Sequence, residues 1–243
     1  MRYLVTGAAG FIGSSIAKKL LDLGHMVVTI DNLSTGYESN IPKQCVFFKG
    51  DLSNNETIQK LDNVKFDAIL HIAGQSSGEI SFDDPVYDNS CNTLSTINLL
   101  EYALKTKCKR FIYASTMSVY GDQGKKYKFS ENDLTAPKSF YAVSKLSSEN
   151  YLKIYQNLYG IKFTSLRYFN VYGPGQNLQN LKQGIVSIYL KQFIDDSFKK
   201  VIIKGSTDRF RDLSYIDDVV DVTTESIHNE QFYNEVINIG TGK

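Results

Sequence analysis

The chain has 243 residues with 27 basic and 26 acidic side chains, a net charge of +1, and no basic run that would track a polyanion, which argues against a nucleic-acid partner. No apolar run approaches the ~18 residues of a membrane span, and "MRYLVTGAAG" breaks into glycines too early for a secretory signal. The length favours one large domain with an elaboration, and the scattered Cys45, Cys91 and Cys108 read as reduced thiols of a cytoplasmic protein, not a disulfide framework.

In chain order, short apolar, β-rich runs occur at "RYLVTG", "HMVVTID", "CVFFKGD", "FDAILHIAG", "RFIYAST" and "IKFTSLRY". Between most of them lie stretches of helical period, such as Phe11 to Leu23 and Val86 to Leu104. This alternation predicts an α/β fold, a doubly wound parallel sheet over residues 1–168 with helices on both faces. After "RYFNVYGPGQN" come a long loop, an apolar helical stretch near Ile185 to Phe193, the short run "KVIIKG" and the charged "STDRFRD", so residues 169–214 read as a smaller lid. "YIDDVVDVTTESIHN" then reads as a helix and "EVINIG" as a strand, which returns residues 215–243 to the first layer.

The first strand runs into Gly7, Gly10 and Gly13, spaced G-x-x-G-x-x-G before an apolar helix. That is the context in which a glycine turn lets backbone approach a pyrophosphate while a helix N-terminus offers amides to it. The second strand ends at Asp31, 18 positions beyond Gly13, near the distance expected for a carboxylate on the adenosine ribose. "NLSTG" follows, with no arginine for a 2′-phosphate, so NAD is favoured over NADP. In "SFYAVSK", Tyr141 and Lys145 fall on one helix face if the helix begins at Ser139. With 16 tyrosines in the chain the pair alone proves little; its weight comes from lying just after the fifth strand of a nucleotide-type fold. A free phenol, with a pKa of ~10, is a poor base at neutral pH, but a neighbouring ammonium and a cationic nicotinamide both favour the phenolate.

Taken in order, "TGAAGFIGS", "DNLSTG", "GDL", "STMSVYG", "YAVSK", "LRYFNVYGPGQ" and "NIGTG" make the chain resemble the extended short-chain dehydrogenase/reductase family, specifically its NAD-dependent nucleotide-sugar epimerases and dehydratases, with UDP-glucose 4-epimerase-like members most similar. The resemblance covers essentially the whole chain and implies a Rossmann fold. It implies that Tyr141 removes the sugar hydroxyl proton as hydride passes to NAD, that Lys145 also holds the nicotinamide ribose, and that Thr116 hydrogen-bonds the reacting sugar oxygen with Ser118 beside it. Further cofactor contacts implied are Phe11 and Ile12 in the glycine turn, Asn32, Ser34, Thr35 and Gly36 after Asp31, and Asp51 and Leu52 near the adenine. Ala73 and Gly74 fall along the middle of the cofactor, with Asn92 in the helix behind its nicotinamide half and Phe169 as a further cofactor contact. Asn170 and Arg211, with Arg209 as a substitute, match positions that contact the diphosphate of a nucleotide-sugar substrate, which the resemblance implies is UDP-linked.

The same resemblance separates reactions. Dehydratases of the family carry Asp-Glu after the threonine, where this chain has Met117 and Ser118. The expectation is therefore a 4-epimerase that oxidises sugar C4 and re-reduces it from the opposite face; a 4,6-dehydratase, a 4-ketoreductase or a non-catalytic NAD-binding sensor are the alternatives. Relatives pair through helices corresponding to 86–104 and 139–159, which implies a homodimer. The family pattern continues several dozen residues past "NIG", so a truncated or unusually short chain with an incomplete substrate site is expected.

Other residues have plainer readings. "GQSSG" at 74–78 matches the G-x-S-x-G nucleophile elbow with Ser76 as nucleophile, but the following "EISFDDP" does not read as a helix and the only downstream histidine is His228. His25, His71 and His228 lack ligand spacing, so no metal is expected. His71 reads as structural, packing under the cofactor, and Tyr151, Tyr155 and Tyr159 as core or dimer surface.

Overall fold

A computed structural model of the chain describes residues 1–61, 64–123, 128–203 and 210–242. Its strands are β1 Arg2–Thr6, β2 Met26–Asp31, β3 Val46–Lys49, β4 Ala68–His71, β5 Arg110–Thr116, β6 Lys162–Tyr168, β7 Asn170–Tyr172, β8 Leu213–Tyr215 and β9 Glu235–Ile239. Its helices are α1 Phe11–Asp22, α2 Asn55–Gln59, α3 Gly78–Asp83, α4 Pro85–Asn89, α5 Ser95–Thr106, α6 Phe140–Tyr159, α7 Ile185–Ile194 and α8 Ile216–Glu225. Seven strands form one sheet in the order β3-β2-β1-β4-β5-β6-β9, every pairing parallel. The strand order reverses between β1 and β4, and such a switch point opens a crevice at the carboxyl ends of the strands.

Successive residues of each strand feed two cores. Tyr3, Val5, Leu70, Ile112 and Leu166 pack with Ile16 and Leu20 of α1 and Val219 of α8, whereas Leu4, Ile69, Phe111 and Phe163 pack with Leu99 of α5 and Leu152 of α6. Because both faces are covered, β5 is buried at every position; this is why the strands read as continuous apolar runs. The helix carrying Tyr141 starts where its sequence says it should, since the Ser139 side chain accepts from Ala142 N at 3.2 Å.

Three features depart from the sequence expectation. The helix expected over 86–104 is interrupted by a π turn, Ser90–Leu94, between α4 and α5. Side-chain hydroxyls occupy the carbonyls there: Ser95 Oγ donates to Cys91 O at 2.5 Å, and Thr96 Oγ1 and Ser148 Oγ donate to Asn92 O at 2.6 and 3.1 Å. Residues after Gly78 do form a helix, α3, capped by Ser77 Oγ accepting from Ile80 N at 3.3 Å. At 6 residues it is too short for an apolar period to register. Strands β7 and β8 pair in parallel over three residues each, a non-local contact with no sequence signature of its own.

A buried ionic network ties α6 to the sheet. Arg167 Nη2 and Nε donate to Glu149 Oε2 and Oε1 at 2.7 and 3.0 Å, Arg167 Nη1 donates to Tyr120 OH at 2.8 Å, and Tyr120 OH donates to Asn238 Oδ1 of β9 at 2.7 Å. Ser115 Oγ of β5 also donates to Glu149. Removing one charge of such a pair leaves the other desolvated and unpaired. Arg167→Met is expected to lower the unfolding free energy by about 3–5 kcal/mol, and the double variant Arg167→Met/Glu149→Leu to recover much of it. Urea unfolding midpoints of the two variants measure both; equal losses would contradict the pairing.

Candidate active site

A groove of about 270 Å³ lies at the carboxyl ends of β1 and β4. Its floor is the glycine turn. A Cβ on Gly13 would stand 2.1 Å from Gly7 O, so helix α1 sits against the turn at a distance no side chain permits. Gly10 is the N-cap of α1 and no side chain caps it, which leaves the first-turn amides for a ligand. At the end of β2, Asp31 accepts from Ala9 N at 3.0 Å and Leu33 N at 2.8 Å, holding its carboxylate at the rim.

The expected cofactor residues Gly7, Gly10, Phe11, Ile12 and Gly13 line this groove, as do Asp31, Asn32, Ser34, Thr35 and Gly36. Asp51, Leu52, Ala73 and Gly74 line it too. Asn92, Tyr141, Lys145 and Phe169 are not among its lining residues. Asn92 and Lys145 stand directly behind Gly74, where a Cβ would be 2.4 Å from Asn92 Oδ1 and 3.1 Å from Lys145 Nζ.

Beneath the groove, Thr6 Oγ1 accepts from Ile72 N and Ala73 N at 3.1 and 3.0 Å. Its own proton therefore goes to His71 Nδ1 at 2.9 Å, which assigns the His71 proton to Nε2, facing Ser95 Oγ at 3.2 Å. Burial pulls the His71 pKa down to about 3, and the Lys145 charge adds to the fall. His71 is thus a neutral strut from β1 to the π turn that carries Asn92.

The residues expected to react sit at the end of β5 and the start of α6. Thr116 Oγ1 accepts from Ser118 N at 3.1 Å and donates to Ser118 Oγ at 3.2 Å, and its hydroxyl stands near enough to the Tyr141 phenol to favour the phenolate. One turn on, Lys145 Nζ donates to Ala114 O at 2.9 Å and lies 4.9 Å from the centre of the Tyr113 ring. Burial pushes the Tyr141 phenol up to about 12, against the lowering effect of Thr116, and Asp88 pushes it further up. Burial also pulls Lys145 down to about 8, with Asp88 pulling it back up.

Asn170 Nδ2 lies 3.6 Å from Met117 Sδ and donates to Asp212 O at 2.8 Å, next to Thr116. Arg211 is half-buried and its Nη1 donates to Phe210 O at 2.9 Å; neither residue lines the groove. Arg209 lies outside the described residues. The groove is also walled by Gln176, Asn177, Asn180 and Gln183, from a stretch whose sequence reads as a loop; the density of amides in "QNLQNLKQ" is the signal it carries. Ser76 lines the groove as well, but His228 bonds Tyr3 OH at 2.8 Å near the start of β1, at the far end of the strand, so the hydrolase arrangement does not assemble. Among the described residues no group of three or more His, Cys, Asp or Glu is placed to hold a metal ion, and no helix is long and apolar enough to cross a membrane.

The model of the NAD dependent epimerase/dehydratase family matches residues 3–240. The chain belongs to that family. It is 36% identical to a putative UDP-glucose 4-epimerase of Methanocaldococcus jannaschii, over 99% of this chain and 77% of the relative. The crystal structure of the Thermotoga maritima UDP-glucose 4-epimerase with UDP-glucose superposes with a TM-score of 0.94 at 36% identity, covering 100% of this chain and 78% of that one. That of the Thermus thermophilus UDP-glucose 4-epimerase with NAD gives 0.88 at 35%, with coverage of 100% and 78%. As an NAD-dependent epimerase/dehydratase family member the chain requires a dinucleotide site, and the uncapped α1 terminus, the side-chain-free turn and the rim carboxylate of Asp31 fit that group.

His71 gives the family scaffold a defined acid sensitivity. Its folded pKa of about 3 lies below the unfolded 6.5, so its contribution is complete above pH ~6.5 and is lost as pH falls from there towards ~3. His71→Met is expected to lower stability at pH 7 yet to flatten the fall between pH 6 and 4 by about 1.4 kcal/mol per pH unit, read from urea unfolding at stepped pH. An unchanged slope would show that His71 protonates in the fold.

Proposed function

We propose that the chain is an NAD-dependent nucleotide-sugar 4-epimerase that inverts C4 of a UDP-linked sugar through a transient 4-keto stage. The observation that carries this is the buried Thr116–Tyr141 hydroxyl pair with Lys145 one turn behind it, set beside a groove that fits NAD. Bound NAD supplies the hydride acceptor and donor. On this reading Tyr141 takes the proton of the C4 hydroxyl and later returns it, while Thr116, with Ser118 behind, orients that oxygen. With its phenol held near 12 in the protein alone, Tyr141 can serve as base near neutral pH only when positive charge stands beside it, and Lys145 is the chain's own source.

The roles of the remaining residues follow. Gly7, Gly10 and the amides of Phe11 to Gly13 take the pyrophosphate, Asp31 with Asn32, Ser34, Thr35 and Gly36 takes the adenosine ribose side, and Asp51 and Leu52 face the adenine. Ala73 and Gly74 flank the middle of NAD, and Asn92, Lys145 and Phe169 its nicotinamide half. Asn170 and Arg211 receive the sugar-nucleotide diphosphate, Arg211 through its planar fork, with residues 169–214 as the lid. Met117 and Ser118 weigh against a dehydratase, since neither is an acid or a base at neutral pH. The UDP-glucose in the Thermotoga maritima structure supports a UDP-sugar.

The protein acts as a cytoplasmic homodimer on this reading. Phe140, Val143, Ile154 and Leu158 of α6 leave 47–67% of their surface exposed at positions that share one helix face, and Val86 of α4 adds 75%; a second copy would cover this stripe.

Tyr141→Phe is expected to cut turnover by at least ~10² while the protein still co-purifies with NAD, assayed on a panel of UDP-sugars with the C4-inverted product scored by NMR. Retained turnover would remove the mechanism. Ile154→Asp/Leu158→Asp is expected to yield a monomer in sedimentation velocity, and an unchanged dimer would place the contact elsewhere.

A further inference from the structure

Asp88 is fully buried yet its carboxylate meets only donors. Gln75 Nε2 donates to Oδ1 at 2.7 Å, Asn92 Nδ2 to the same oxygen at 3.3 Å, and Ser144 Oγ to Oδ2 at 2.6 Å. The orientation of Gln75 is set independently, because its Oε1 accepts from Ser77 N. Burial raises the pKa of this carboxyl, and the three hydrogen bonds together with the Lys145 charge oppose that rise, so the contacts favour the anion. Among the described residues no basic side chain forms an ion pair with it.

The same contacts orient Asn92. Its Nδ2 donates to Asp88 and to Ser144 Oγ, the latter at 3.1 Å, which turns Oδ1 towards Gly74, the glycine that Lys145 Nζ also approaches. That oxygen is buried and has no hydrogen-bond partner within the protein. Lys145 is buried as well. The titratable groups around it are Asp88 from α4, Cys91 from the π turn, His71 from β4, Tyr113 from β5 and Tyr141 on its own helix. Burial keeps Cys91, Tyr113 and Tyr141 protonated and His71 neutral, which leaves Asp88 as the anion of the set.

We propose that Asp88 is a positioning residue for the Tyr141–Lys145 pair: it locks the orientation of Asn92 and Ser144 and supplies the buried negative charge that keeps Lys145 an ammonium ion. The inference rests on the reading of Tyr141 and Lys145 as the reacting pair, and it extends that reading to a residue that touches neither ligand. Lys145 is already drawn down to about 8 by burial, with Asp88 opposing the fall. Without that anion the amine loses its proton close to working pH, and Tyr141 loses its cationic neighbour.

Asp88→Asn tests the charge with little change in shape. The new amide can keep its oxygen towards Gln75 and Asn92 and offer its nitrogen to Ser144, whose hydroxyl can then donate to Tyr141 O, 3.0 Å away. The probe is the Lys145 side-chain resonance in the NAD-loaded full chain labelled with ¹³C,¹⁵N-lysine, assigned by its loss in Lys145→Arg and titrated with pH. In Asp88→Asn the Lys145 midpoint is expected to fall by about one pH unit or more, and the alkaline limb of the kcat–pH profile to move down with it. Ser144→Ala removes a hydrogen bond but not the charge, and is expected to move the midpoint far less. A shift under about 0.3 unit in Asp88→Asn, or an equal shift in Ser144→Ala, would overturn the proposal. Retained turnover in Tyr141→Phe would instead remove the catalytic reading and leave the Lys145 titration as it stands.

Discussion

The hydroxyl of Thr6 holds the crevice between β1 and β4, and the site is arranged around that crevice. By accepting two amides from the exit of β4 and giving its proton to His71, it fixes where Ile72, Ala73 and Gly74 leave the sheet. Gly74 then stands against Asn92 and Lys145, and the His71 ring reaches Ser95 beside the π turn. One buried side chain thus connects the glycine turn, the strand exit and the bulged helix.

The electrostatics of the site arise from the same burial. Removing water disfavours the charged form of any group, so Tyr141 is pushed up and Lys145 down, away from the phenolate–ammonium state that proton transfer needs. Asp88 acts on both in the same direction, favouring the ammonium and opposing the phenolate. The protein's own groups therefore favour a neutral phenol beside a marginal cation. On the proposed reading, positive charge brought by a ligand would shift the balance towards a competent base and couple readiness for chemistry to an occupied groove.

The parts of this arrangement legible in the chain are those with a short spacing. Gly7, Gly10 and Gly13 precede an apolar helix, Asp31 ends the next strand, and Tyr141 and Lys145 are four apart behind a serine cap; each pattern is complete within a few dozen residues. The π turn was hidden because its cause lies in hydroxyls from two helices, Ser95 and Thr96 on one and Ser148 on another. α3 was hidden by its brevity, and β7 and β8 because a three-residue pairing between distant segments leaves no period. Asp88 belongs to no short motif that sets it apart from the polar residues around it.

By itself the sequence determined the alternation of strands and helices, the two-sided burial of the sheet and the local motifs, because periodicity, glycine and capping act over single turns and adjacent residues. Tertiary structure alone decided which carboxylate is buried without an ion-pair partner among the described residues, which amide backs Gly74, and how the amide-rich stretch 176–183 comes to wall the groove. Those outcomes depend on distances between segments remote in the chain, and on the dielectric they create together, neither of which any local spacing encodes.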